Sequence, residues 1–198
     1  MATTQGRTLF RRKARGAEVP SQRAGHEGAP REDAQIRTGV VSYVWAVARL
    51  ALGWVFLWAF LDKLFGLGHD TTGAQAWING GSPTQGFLGH ATQGPLAGFY
   101  HSIAGAGWAD WLFMIGLAGI GVALILGIGM RAAAVAGAVL LVLMWSAVLP
   151  PDSNPFMDDH LIYALLIIGL ALAGAGDTLG LGRWWKTTSL VQRMPFLR

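Results

Sequence analysis

Four long apolar runs constrain this chain more than any other feature of its sequence. The hydrocarbon core of a bilayer is about 30 Å thick, and a helix needs roughly 20 apolar residues to cross it. A chain of 198 residues, 53% of them hydrophobic, is too small to bury four such helices in a soluble domain. The sequence therefore predicts an all-α fold, a polytopic membrane four-helix bundle. The runs are Val40–Leu61, Trp111–Met130, Ala132–Leu149 and Leu161–Gly176.

The positions of the basic residues predict how the bundle is oriented. Eight of the fifteen Lys and Arg residues lie in residues 1–37 and four lie in residues 183–198, while Arg131 lies in the short link between the second and third runs. The connections 66–107 and 150–160 contain none. Because basic residues collect on the cytoplasmic side, we expect both termini in the cytoplasm and a multi-pass protein of the plasma (inner) membrane. Basic tails in this position favour membrane lipid, and not nucleic acid, as a partner.

The domain organisation follows from the same patterns. Residues 1–37 have few large apolar side chains and cannot offset the entropy of folding, so we expect a disordered basic cytoplasmic tail. Residues 38–185 form the predicted four-helix transmembrane domain. Residues 186–198 are the predicted cytoplasmic C-terminal tail.

The four helices are predicted at Val40–Phe65, Ala109–Gly129, Ala132–Leu149 and from Asp158 to about Asp177. The segment 66–107 is too long for an ordinary connection. It is also too apolar for a solvated linker, so we expect one or two short helices at the outer interface or capping the bundle.

Small residues recur at four-residue spacing in two of these helices. They are Gly119, Ala123 and Gly127 in the second helix, and Gly169 and Ala173 in the fourth. Such spacing lets helix backbones approach closely, which predicts tight helix contacts at these positions.

Three stretches of the sequence together resemble a known family. They are Arg49–Gly53 followed by Leu61–Leu64, the Gly-rich second helix leading to Gly129–Arg131, and Gly174–Asp177 leading to Leu181–Trp184. Over roughly residues 40–185 the chain is similar to the DoxX/DoxD-like family of small four-helix membrane proteins.

The resemblance implies a four-helix bundle and a redox role. Some members of the family are the membrane subunit of thiosulfate:quinone oxidoreductase, whereas most have no assigned reaction. Arg49 and Lys63 match the family pattern residue by residue.

Arg49 is the deepest charge in the predicted helices, about 13 Å from Val40 at roughly 1.5 Å per residue. A charged side chain at such depth is usually turned inward and paired, and it is a functional candidate. One interpretation is structural: Arg49 extends to the cytoplasmic interface, or ties the first helix to the fourth through Asp177. The other is that Arg49 binds a ligand or a quinone.

A group of ionisable residues is predicted at the outer mouth of the bundle, where the first helix ends and the fourth begins. Lys63 and His160 there have the chemistry to hold an anion, and Asp62 and Asp159 the chemistry to relay protons. We take these four as candidate catalytic residues. The alternative is that, with Asp158, they serve only as interface anchors and as the N-cap of the fourth helix.

Aromatic residues are predicted at a similar depth. Trp58, Trp145 and Tyr163 offer flat apolar surfaces for a quinone ring, and with Arg49 they are the candidate cofactor-binding residues. The alternative is that these rings belong to ordinary core and interface packing.

The sequence argues against several other cofactors. The chain has no cysteine, which excludes disulfides, thiolate chemistry, Cys-bound zinc, Fe–S clusters and covalent haem. His69, His90 and His101 have no close fixed spacing, so we expect no metal and no bis-His haem. Quinone remains the expected cofactor.

Two functions follow from these features. The first is a redox subunit of a quinone-linked oxidoreductase, which passes electrons from a small reductant such as thiosulfate to quinone. Such a subunit would act with a partner membrane or periplasmic subunit. The second is a non-catalytic membrane scaffold or assembly partner of another complex. The sequence alone leaves both open.

Single-cysteine labelling tests the predicted orientation. Because the chain contains no cysteine, Gln85→Cys and Thr188→Cys each introduce a unique thiol. A membrane-impermeant maleimide added to intact cells should label Gln85→Cys, and should reach Thr188→Cys only after the membrane is disrupted. The reverse pattern would overturn the orientation.

Overall fold

The computed structural model describes Ala2, residues 29–152 and residues 154–197, with the backbone alone for residues 29–37. The chain divides into two units, Met1–Arg37 and Thr38–Arg198, and the second contains the predicted transmembrane domain. The predicted disorder of residues 1–37 lies outside the described residues, apart from Ala2 and the helical backbone of residues 29–37.

The described part of the chain is helical and contains no strand, which confirms the predicted all-α class. Four helices run back and forth, as the apolar runs predict, and three shorter ones accompany them. The helices are α1 (Ala29–Phe65), α2 (Ala97–Ile103), α3 (Gly107–Leu126), α4 (Met130–Ala147), α5 (Asp159–Leu172), α6 (Gly182–Trp185) and α7 (Ser189–Arg193).

Three of these helices are long and apolar enough to cross a membrane. They are α3, α4 and the Thr38–Phe65 part of α1, with 20, 18 and 28 residues respectively. The fourth apolar helix, α5, has 14 residues, or about 21 Å at 1.5 Å per residue. It is shorter than predicted because the chain tightens at Gly174 (φ 65°) into the 3₁₀ turn Ala175–Asp177.

The long connection between α1 and α3 is partly helical, as predicted, and we call residues 66–106 the cap. Besides α2, the cap contains short 3₁₀ turns and one π-helical turn, Phe87–Ala91. It is fastened to α4, since the Tyr100 hydroxyl lies 3.0 Å from Leu143 O and 2.6 Å from Ser146 Oγ. The Gln93 backbone amide also donates to Ala147 O at 3.0 Å.

The C-terminal residues predicted as a tail fold back on themselves. Val191 in α7 is fully buried, and the Trp185 indole Nε1 donates to Leu197 O at 2.7 Å. Arg131 at the start of α4 reaches Pro195 O at 3.4 Å. This segment therefore contributes to packing at the end of the bundle opposite the cap.

Glycines permit a close contact between α1 and α3. A Cβ atom on Gly121 would lie 2.8 Å from the backbone N of Leu57, and one on Gly53 would lie 2.9 Å from Leu124 Cβ. The two backbones approach so closely that neither position has room for a side chain.

The close helix contacts predicted at Gly119 and Gly169 are not formed by these two glycines. A Cβ on either glycine would have no atom within 4 Å, whereas one on Gly137 of α4 would lie 2.5 Å from Ile167 Cδ1 of α5. Small-residue spacing identifies a face that permits close approach, but it does not identify which helix lies against that face.

The bundle is apolar inside and outside. Its core contains Leu52, Phe56, Leu117, Leu124 and Ile167. Large apolar side chains also face outward on every long helix, and Leu112 of α3 is 67% exposed. An exposed apolar surface of this extent is lipid-facing, so the chain is a multi-pass membrane protein in contact with lipid.

Substitution of two glycines in α3 tests the α1–α3 contact. Gly121→Ala should destabilise the protein by about 1–3 kcal/mol, because the new methyl group meets backbone atoms that cannot move independently. Gly119→Ala in the same helix is the matched control and should leave the unfolding temperature in detergent unchanged or higher. Equal unfolding temperatures for the two variants would contradict the assigned contact.

Candidate functional site

Arg49 is a fully buried charge that joins three parts of the chain. Its Nη1 donates to Leu124 O and, at 2.9 Å, to Ile125 O at the end of α3. Its Nη2 donates to Leu179 O at 2.7 Å and to Thr178 O at 3.4 Å. The guanidinium thus lies at the negative end of the α3 dipole, where a positive charge is favoured.

These bonds complete the hydrogen bonding at the end of α3. The last four carbonyls of a helix have no partner within the helix. Here Ala123 O accepts from Gly127 N at 2.8 Å, and Leu126 O accepts from Leu181 N at 2.8 Å. Arg49 satisfies the two carbonyls between them, so this helix end is closed by one side chain from α1.

Glycines leave room for the guanidinium. Gly127 has a φ of 72°, and a Cβ there would lie 3.0 Å from Arg49 Nη1. A Cβ on Gly180 would lie 3.1 Å from Arg49 Nη2. Gly180, in the glycine-rich stretch that follows α5, and Gly127 thus lie beside the space that the Arg49 guanidinium occupies.

The expectation that Arg49 points inward and meets hydrogen-bond acceptors is confirmed. The suggested tie to the Asp177 carboxylate is wrong, because that carboxylate pairs with Lys186 Nζ at 2.6 and 2.7 Å. Arg49 instead holds the backbone carbonyls that directly follow Asp177.

Asp62, at the other end of α1, is also buried. Its Oδ2 accepts from the amides of Asp70 at 3.0 Å and Thr71 at 2.9 Å, and its Oδ1 accepts from the amide of His69 at 3.3 Å. A carboxylate with three backbone donors is strongly held. In this structure Asp62 closes the loop in which the chain leaves α1 and enters the cap.

Asp110, which the sequence analysis missed, fastens the other end of the cap. It is buried in the first turn of α3, and its Oδ1 accepts from Ser82 Oγ at 2.9 Å, Thr84 N at 3.0 Å and Thr84 Oγ1 at 2.6 Å. Thr84 Oγ1 in turn accepts from Gly105 N at 3.1 Å. The available signal was an acidic residue in the first turn of a predicted helix.

The structure brings together the acidic residues and the histidine at the start of α5. His160 Nδ1 lies 2.7 Å from Asp158 Oδ2 and 3.5 Å from Asp159 Oδ1. Asp158 Oδ1 accepts from Leu161 N at 3.2 Å, so Asp158 is the N-cap of α5. With Nδ1 facing a carboxylate, Nε2 of His160 is the ring nitrogen available to exchange a proton.

Lys63 lies at the same end of the bundle as this group. It is partly buried and makes no hydrogen bond or ion pair with any residue of the described ranges. Within those ranges no such bond joins Lys63 or Asp62 to the residues that begin α5. The predicted outer cluster is thus present as separate groups.

The predicted quinone-binding aromatics lie in different clusters. Trp58 contacts His69 edge-on at 5.1 Å between ring centroids, whereas Trp145 contacts Phe156 at 5.5 Å and donates to Phe156 O at 2.8 Å. Tyr163 packs against the core. Arg49 is 13 residues from Asp62, or about 20 Å along α1. The structure therefore does not gather these four into one wall, and their cofactor role stays a prediction.

A cavity of about 250 Å³ lies between the cap and helices α3 and α4. Its walls are almost wholly apolar, and Thr84 and Tyr100 are the hydroxyl-bearing residues among them. Sequence reasoning missed it because a cavity between distant segments has no local sequence pattern. Other residues that line it are Phe87, Phe99, Ile103, Trp108, Leu112, Phe113, Leu140 and Leu143.

Comparison with known proteins agrees with the resemblance seen in the sequence. The family model for DoxX matches residues 44–150, which is more than half of the chain and includes Arg49, Lys63, the cap, α3 and α4. Neither the curated proteins nor the solved structures include a significant match.

Substitution of Arg49 tests its role in closing α3. Arg49→Gln removes the charged donors of buried carbonyls and should destabilise the protein by roughly 3 kcal/mol or more. Arg49→Lys keeps the charge but not the planar fork, so its stability should be intermediate. Both effects are measured by thermal unfolding in detergent.

Lys63→Gln is the matched control, since Lys63 lies in the same helix and has no partner in the described ranges. It should change the stability by less than about 1 kcal/mol. We call Arg49 and the four carbonyls that it binds the Arg49 clamp. Its role in stability is contradicted if Arg49→Gln unfolds at the same temperature as Lys63→Gln.

Proposed function

The chain belongs to the DoxX family of membrane proteins, and we propose that it is a redox subunit that passes electrons from a small reductant, such as thiosulfate, to quinone in the plasma (inner) membrane. The observation that carries the proposal is the aromatic cavity between the cap and helices α3 and α4. This cavity lies at the same end of the bundle as Lys63 and His160.

The residues that line the cavity fit a flat, apolar ring. Ligand sites are concave and mostly apolar, with few polar groups, and their volumes begin at about 300 Å³. A volume of about 250 Å³ thus matches a ring better than a whole polyprenyl tail. Leu112 lines the cavity and is 67% exposed on the lipid-facing side of α3, so a tail has a way out into the bilayer.

The hydroxyls at the cavity are already engaged. Thr84 Oγ1 donates to Asp110, and the Tyr100 hydroxyl bonds with Leu143 O and Ser146 Oγ. Ser146 Oγ also donates to Leu143 O at 2.9 Å, so that carbonyl keeps a donor if the Tyr100 hydroxyl turns to a ring oxygen. A quinone held there supplies an acceptor for two electrons and two protons.

The ionisable residues have three roles in this proposal. Asp62 is engaged by cap amides and serves mainly to hold the cap. Lys63 supplies a positive charge that attracts an anionic reductant. His160, oriented through Nδ1 by Asp158 and flanked by Asp159, exchanges protons through Nε2.

A second candidate function is a scaffold for a partner membrane or periplasmic subunit. The observation that favours it is the apolar surface of the cap, where Ile78 is 59% exposed and Leu67 and Leu96 are also exposed. Such side chains fit a docking surface as well as the membrane interface.

Two kinds of variant test the redox proposal. Leu112→Trp places a larger side chain at the lipid-facing side of the cavity. It should lower the amount of quinone that copurifies with the protein several-fold. Lys63→Met should keep the bound quinone and abolish reductant-dependent quinone reduction, because only the attraction of the anion is lost. Quinone is measured in lipid extracts of the purified protein, and reduction is measured in membranes.

Leu165→Trp is the matched control for the cavity, since Leu165 of α5 is exposed and does not line it. This variant should retain wild-type quinone. If Lys63→Met and His160→Ala membranes reduce quinone as fast as wild type, the redox proposal fails. Wild-type protein that carries no quinone but copurifies with a fixed partner would favour the scaffold.

A further inference from the structure

A second cavity, of about 300 Å³, lies at the end of the bundle opposite the cap. It is formed where the α3–α4 turn, the end of α5 and helix α6 meet. Unlike the cavity at the cap, it has charged walls and a floor of glycine backbone. Its lining includes Gly127, Arg131, Gly174, Asp177, Trp185 and Lys186.

The charges in this cavity do not balance. Lys186 Nζ bonds both oxygens of Asp177, at 2.6 and 2.7 Å, so these two residues neutralise each other. Arg131 is exposed, and its one described bond is a long one, 3.4 Å from Nη1 to Pro195 O. Within the described ranges no carboxylate pairs with Arg131, which leaves one net positive charge in the cavity.

The start of α4 adds to this positive potential. Arg131 lies in the first turn of α4, where the helix dipole is positive and a cation is unfavourable. The N-cap residue is Gly129, which has no side chain to accept a bond from the first-turn amides. An anion placed between Arg131 and these amides would offset the unfavourable cation and accept hydrogen bonds from the amides.

The surroundings of the cavity favour a lipid over a soluble anion. Leu172 lines it and is 84% exposed, and Leu181 and Trp184 beside it are exposed as well. Exposed apolar side chains next to a charged cavity match a molecule with an anionic head and apolar chains. Basic cavities between helices on the cytoplasmic side have the same chemistry as lipid-headgroup sites.

We propose that this cavity binds the phosphate of an anionic glycerophospholipid, with Arg131 as its main ligand and the acyl chains lying over Leu172. Lys186 has three N–H donors, and it donates one to the phosphate while its ion pair with Asp177 remains. The site is separate from the quinone proposal, and neither depends on the other.

The test compares lipid binding to purified, delipidated full-length protein by native mass spectrometry. Wild-type protein should bind one phosphatidylglycerol more tightly than phosphatidylcholine. Arg131→Gln should weaken phosphatidylglycerol binding about fivefold, the factor that corresponds to about 1 kcal/mol for one basic residue. Arg193→Gln removes the same charge from α7, outside the cavity, and should bind like wild type.

Further variants keep the test decisive if Arg131→Gln does not fold. Arg131→Lys retains the charge and should bind phosphatidylglycerol nearly as well as wild type. Lys186→Gln should weaken binding at least as much as Arg131→Gln is expected to, because it leaves the Asp177 carboxylate unpaired in the cavity.

Three results would overturn the proposal. One is equal affinity for phosphatidylglycerol and phosphatidylcholine, and another is an equal loss of binding in Arg193→Gln. The third is complete displacement of phosphatidylglycerol by millimolar inorganic phosphate, which would assign the cavity to a free anion.

Discussion

The structure depends on one buried cation whose partners are all backbone carbonyls. A buried charge is costly to desolvate, and the cost is offset only when geometry and hydrogen bonds are good. The two Nη atoms of Arg49 donate to four carbonyls, two of them at the negative end of the α3 dipole. Its buried Nε has no hydrogen-bond partner within the described ranges. Since the acceptors are backbone atoms, they constrain the path of the chain. A Cβ on Gly127 or Gly180 would meet both the Gly176 backbone and the guanidinium.

The cap end applies the same physics with the opposite charge. Asp62 and Asp110 are buried carboxylates whose partners are mainly backbone amides and hydroxyls of the cap. Each lies at the end of a long helix. Together they attach the cap, whose α-helix, α2, has only 7 residues. The apolar cavity beneath the cap therefore depends on polar attachments at its margins. Two of its lining residues make such attachments, since Thr84 bonds with Asp110 and Tyr100 bonds with α4.

Hydropathy predicted the helices because lipid requires every backbone group to be satisfied within the protein. The cost of a charged side chain in lipid predicted that Arg49 turns inward. Neither argument predicts the partner of Asp177, the role of Asp110 or which glycines lie in close contact. Each of these depends on which distant segments of the chain meet. Gly119 and Gly121 show the limit clearly: they are alike in sequence, yet Gly121 alone lies against another backbone.

The charged cavity at the end of the bundle opposite the cap lies next to the Arg49 clamp. Gly127 and Gly176 line the cavity, and a Cβ on Gly127 would lie 3.0 Å from Arg49 Nη1. A phosphate held by Arg131 would therefore lie beside glycines that are two residues from carbonyls that Arg49 binds, Ile125 O and Thr178 O. A ligand that binds only the folded state stabilises it by mass action. Anionic lipid at this site would then reinforce the clamp, so the stability of the bundle would follow the lipid composition of the leaflet beside it.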